Sequence, residues 1–156
     1  MTTTSIKTIR GFKKALKEGK FSLNEIADIL INHYNKPNED FPIINVLYDL
    51  GCAVLSSDLD FDKNKESLNK IYGISSVPKC GIINDKAVTK EVYNKDKDYV
   101  INLCTNNVGL TEELFWLSYC LGYLIKYDNM SFMFDGTNID DDCYKFAIKL
   151  LLPNIK

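Results

Sequence analysis

The stretch LFWLSYCLGYLIKY, residues 114–127, decides how this chain is read. Between Leu114 and Ile125 only Ser118 and Gly122 are neither apolar nor aromatic, so no face is left for water. A surface helix carries one apolar stripe, whereas a helix apolar all round is buried. Glu112 and Glu113 precede the run, where negative charge complements the positive end of a helix dipole, and Thr111 is placed to cap it. A buried helix is therefore expected here. Tyr119 and Tyr123 stand at i and i+4, so both side chains leave on one face, with Cys120 beside the first. Ser118 and Gly122 form a second such pair, small enough to let a neighbouring element come close.

Downstream, DNMSFMFDGTN reads as a loop, and a last helix begins at IDDDCYKFAIKLLLP, with aspartates at its N-terminal end and Pro153 as its stop. Upstream, CAVLSS, PKCGIIN and DYVINLCTN are strand-like, the last rich in Val, Ile and Tyr. The polar stretch DLDFDKNKESLNKIYGISS between the first two reads as a loop with some helix. The N-terminal part is helical. Ile6, Ile9, Phe12 and Leu16 recur at helical spacing before Gly19 stops the run. Ser22 and Glu25 make a capping box for LNEIADILINHYN, whose core stripe is Leu23, Ile26, Ala27, Leu30 and Ile31. Pro42 opens PIINVLYDLG, and Gly51 ends it. The expected fold class is α+β, a helical domain with a small three-stranded sheet. No repeat or low-complexity linker divides the chain, so residues 1–156 are read as a single domain.

Composition excludes several functions. At 156 residues, 46% hydrophobic and 26% charged, the chain is long enough to bury a real core. Nineteen basic against 21 acidic side chains leave a net charge of −2, so no direct nucleic-acid contact is expected. The lysines in KTIRGFKKALKEGK read as a solvated helix face. Five cysteines, an odd number without CxxC spacing, make neither a disulfide framework nor a zinc ribbon, and reduced thiols in the cytoplasm are expected. The N-terminus has no apolar signal region, and the longest apolar run is shorter than the ~20 residues of a membrane span, so no membrane partner is expected. KFSLNEIADIL resembles the start of a helix-turn-helix, but its apolar pattern runs on into INHYNKPNED where a turn is required. A Cys–His nucleophile would have to use His33, the only histidine, and no local motif pairs it with a cysteine.

The i, i+4 geometry of Tyr119 and Tyr123 is the one that zincin metallopeptidases use in His-Glu-x-x-His, where two imidazoles bind zinc and the glutamate takes a proton from the bound water. The segment LFWLSYCLGYLI resembles the RFTLAHELGHYLL helix of the ImmA/IrrE family of zinc metallopeptidases, and DDDCYKFAIKLLLP resembles that family's closing E-x-E-A-N-x-F-A-x-x-L-L-M-P. NEIADILINHYN with PIINVLYDLGCAV looks like its leading helices and first strand, and DYVINLCTN like the strand before the zinc helix. The resemblance covers about residues 20–153, leaving 1–19 as an N-terminal helical extension, and implies a zincin-like core.

The departures set the functional expectation. By this resemblance Tyr119 and Tyr123 occupy the zinc-ligand positions, Cys120 that of the catalytic glutamate, and Asp142 stands near the downstream acidic ligand. A phenol with a pKa of ~10 stays protonated at neutral pH and binds zinc poorly, and a thiol does not replace a carboxylate base. The motif is degenerate, and a pseudo-peptidase is expected: no catalytic residue, no metal, no cofactor. The tyrosines would fill the volume of metal and water, their hydroxyls finding partners such as Asp142. Cys120, Cys143 and Asp142 are the residues from which a non-standard metal site could be built across the two helices. Relatives of this type act on helix-turn-helix repressors, so the implied function is a noncatalytic regulator or inhibitor from a phage or other mobile element. Its partner would be another protein, a repressor or a host defence complex such as a CRISPR effector, the last making it an anti-CRISPR. The alternative is an active ImmA/IrrE-type metallopeptidase with unusual ligands, cleaving a helix-turn-helix repressor.

Overall fold

The capping box at Ser22 closes as its spacing requires: the Ser22 N–H donates to Glu25 Oε1 at 2.9 Å, and the Glu25 N–H to Ser22 Oγ at 3.1 Å. It starts α2 (Leu23–Tyr34), which follows α1 (Ile9–Lys17) and precedes α3 (Ile43–Asp49). The computed structural model describes residues 8–34, 39–57, 61–72, 79–83, 99–104, 110–127, 132–134 and 139–152. After α3 come β1 (Cys52–Ser57), α4 (Phe61–Tyr72), β2 (Cys80–Ile83), β3 (Tyr99–Cys104), α5 (Leu110–Lys126), β4 (Phe132–Phe134) and α6 (Asp141–Leu151). The chain is a mostly helical α+β mixture. Thr8 caps α1, accepting the Gly11 N–H at 3.0 Å. Gly19 and Gly51, at φ of +75° and +98°, carry the left-handed backbone that turns the chain out of α1 and out of α3.

The sheet runs β1-β3-β2-β4. β1 and β3 are parallel, Cys52 opposite Tyr99 through Ser57 opposite Cys104, so the chain between them crosses over through α4 and β2. β2 is antiparallel to β3, with Cys80 opposite Leu103, and to β4, with Cys80 opposite Phe134. Among the described residues four strands replace the three expected. The fourth, Phe132–Phe134, lies inside the segment read as a loop; three residues are too few to show alternation, and pairing with β2 makes them a strand. The polar stretch after β1, read as a loop with some helix, holds the twelve-residue helix α4. Helix α5 begins at Leu110, so Thr111 sits in the first turn and not at the cap. Ile6 and Pro153 lie outside the described residues.

Among the described residues an apolar core joins α1, α2, α3, α5 and α6 to strands β1, β2 and β3. Ile9, Phe12 and Ala15 of α1 are buried with Leu23, Ile26, Ala27 and Leu30 of α2, and the Ile9 N–H donates to the Leu50 carbonyl at 3.1 Å. The segment read as an N-terminal extension thus shares its described residues with the main core. Helix α5 is the centre: every residue from Trp116 to Ile125 is buried, and it packs against α1, α2, α3, α6, β2 and β3. Gly122 is required where α6 crosses it, since a Cβ there would meet Phe146 Cδ2 at 2.9 Å. Among the described residues no helix is long and apolar enough to cross a membrane.

Candidate functional site in helices α5 and α6

Asp140 is the residue around which the two helices are joined. As N-cap of α6 it accepts the Cys143 N–H on Oδ2 at 3.0 Å. Lys126, in the last turn of α5, reaches both of its carboxylate oxygens at 3.1 Å and Asp142 Oδ2 at 2.9 Å. The Tyr127 hydroxyl donates to Asp140 Oδ1, and the Tyr127 carbonyl accepts from Lys13 Nζ of α1 at 2.6 Å. The Asp140 backbone N–H donates to the Tyr119 hydroxyl oxygen at 2.8 Å. Three helices therefore meet at one cluster of charge-assisted hydrogen bonds.

These contacts set the protonation states. Partial burial pushes the Asp140 carboxyl up, but hydrogen bonds from the Tyr127 hydroxyl, the Cys143 N–H and Lys126 outweigh it and bring the pKa down to about 2. Burial opposes the Lys126 charge, yet Asp142 and Asp140 hold its pKa above the usual lysine value. Burial raises the Tyr119 pKa, only partly offset by the Asp140 N–H, so the phenol stays protonated. The Cys143 thiol is raised by burial and then by Asp140. The Cys120 thiol is raised by burial and by its contact with Cys80 of β2, whose sulfur lies 3.2 Å away.

Tyr119 is 1% exposed and Cys120 fully buried, whereas Asp142 is exposed. Two tyrosines of α5 and the one just past its end line up, with ring centroids 6.5 Å apart between Tyr119 and Tyr123 and 4.5 Å between Tyr123 and Tyr127. The Tyr119 hydroxyl, expected to find a partner such as Asp142, accepts from the Asp140 backbone N–H, while Asp142, in the first turn of α6, is engaged by Lys126. His33 is exposed on α2, edge-on to Tyr34. Among the described residues no group of three or more His, Cys, Asp or Glu side chains is placed to hold a metal ion, so Cys120, Cys143 and Asp142 are not brought together as a ligand set. Sequence reasoning missed Asp140, Lys126, Tyr127 and Cys80. An aspartate just ahead of the helix is a capping signal and could have identified the first, whereas Cys80 lies 40 residues from Cys120 and no local pattern joins them. Comparison of the chain with protein-family models, curated proteins and solved structures gives no match.

Proposed function

We propose that this chain is a noncatalytic regulatory or inhibitory protein of a phage or other mobile element, acting by binding another protein. Its scaffold is read as a zincin-like core of ImmA/IrrE type whose ligand positions have become packed interior. The observation that carries this reading is Tyr119: where the resemblance assigns a zinc ligand, a buried phenol is already committed as acceptor to the Asp140 N–H. Cys120, at the position of the base, is a buried thiol with a raised pKa, far from the near-neutral value that general-base work asks for. Asp142 is engaged by Lys126. Large apolar side chains that would suit an interface stay exposed on two faces, Ile44 and Tyr48 on α3, and Ile139 and Tyr144 around the start of α6. The partner class is a helix-turn-helix repressor or a host defence complex such as a CRISPR effector.

Capture from host extract followed by intact-mass measurement of the captured partner tests this. Cys120→Ala and Asp142→Asn, which remove thiol and carboxylate while leaving no unpaired buried hydroxyl, are expected to capture the partner as the natural chain does, and to leave it uncut. Cleavage of the partner by the natural chain, abolished by either substitution, would overturn the binding reading and restore a metal or thiol mechanism.

A further inference from the structure

The Cys80–Cys120 contact belongs to neither the hydrogen-bond cluster nor the proposed binding surface. The two sulfurs lie 3.2 Å apart, both residues are fully buried, and they come from different elements, inner strand β2 and central helix α5. Among the described residues the other two buried cysteines have different contacts: Cys52 Sγ faces the Ala53 carbonyl at 3.5 Å, and Cys143 lies against Asp140. We propose that Cys80 and Cys120 form a dithiol modification site, converted by a peroxide into a disulfide that ties α5 to the sheet.

The geometry asks for little. The sulfurs must approach by about 1.2 Å to reach the length of a disulfide bond. In the reaction one sulfur, as thiolate, attacks an oxygen of the peroxide and the O–O bond breaks. The thiol proton goes to the departing alkoxide or hydroxide, leaving a sulfenic acid. The second sulfur then attacks the first, the S–S bond forms, the S–O bond breaks, and water departs with the second thiol's proton. Two thiols are oxidised by two electrons, and the peroxide is reduced to an alcohol or water, plus water. Burial keeps the oxidant out until the contact between α5 and the sheet opens locally, so the reaction is slow in the native protein and accelerates under mild denaturant. Once formed, the bond closes a long loop and restricts the unfolded chain.

The test uses the whole reduced protein and hydrogen peroxide. After exposure, remaining thiols are alkylated in denaturant, and the protein is weighed intact and mapped by peptide. The expected product has lost two hydrogens, carries a Cys80–Cys120 cross-link, returns to the starting mass with dithiothreitol, and melts roughly 5 °C or more higher than the reduced form. Cys80→Ala should remove the cross-link and the shift, but mapping of the natural chain decides the matter even if that variant folds poorly. A cross-link mapped to another pair, oxidation of Cys120 to sulfinic acid without a cross-link, or five alkylated cysteines after prolonged exposure would each overturn the proposal.

Discussion

Tyr119 shows how one side chain can both fill a core and hold the start of a neighbouring helix. Its ring is buried among Phe115, Trp116 and Tyr123, with centroids 6.1, 5.6 and 6.5 Å away, and its oxygen holds the backbone at the start of α6. Ring and hydroxyl make separable contributions. Tyr119→Phe keeps the ring and leaves the Asp140 N–H without its acceptor, at an expected cost of about 1–2 kcal/mol. Tyr119→Ala also opens a cavity, raising the cost to about 3–5 kcal/mol. Urea unfolding of the three proteins at one pH measures both, and equal midpoints would show that the ring carries no packing. The burial of Tyr119 was legible, because its neighbours on every side of α5 are apolar. Its partner was not. Asp140 and Asp142 are two residues apart, and about 200° of helical rotation separates such positions once the helix has begun, so the assignment depends on where α6 starts.

At the scale of elements, Asp140 joins the end of α5 to the beginning of α6, and its pKa turns that joint into a dependence on pH. The folded pKa of about 2 lies below the ordinary aspartate value, so the contribution is present in full above the unfolded pKa and is lost as pH falls through the folded one, between about pH 5 and pH 2. Asp140→Asn keeps a good N-cap and removes the charge. It is expected to cost about 2 kcal/mol at pH 7 and much less near pH 2.5, where the natural chain has lost most of the same contribution. Urea unfolding at the two pH values provides the comparison, and an equal difference at both would show that charge is not what Asp140 supplies. Element identity was readable where the signal is local: the Ser22–Glu25 box, the glycine stops and the three longer strands all form. The short strand β4 depends on a partner about fifty residues earlier in sequence, so its own residues do not announce it.

At the scale of the whole molecule, the described residues form an α+β arrangement with an apolar core around α5. That much followed from a helix apolar on every face and from the order of helices and strands around it. Strand order, the meeting of Cys80 with Cys120 and the three-helix cluster at Asp140 rest on contacts between distant segments, which hydrophobic periodicity does not encode. In the proposed reading, side chains fill the place of a metal, and stability then owes nothing to zinc. Zinc content per chain tests this most directly, measured by elemental analysis on protein produced with added zinc and dialysed against a weak chelator. The expected result is zinc far below one ion per chain, with a melting temperature unchanged by the dialysis. One zinc per chain surviving dialysis, and lost on substituting Cys120, would contradict it.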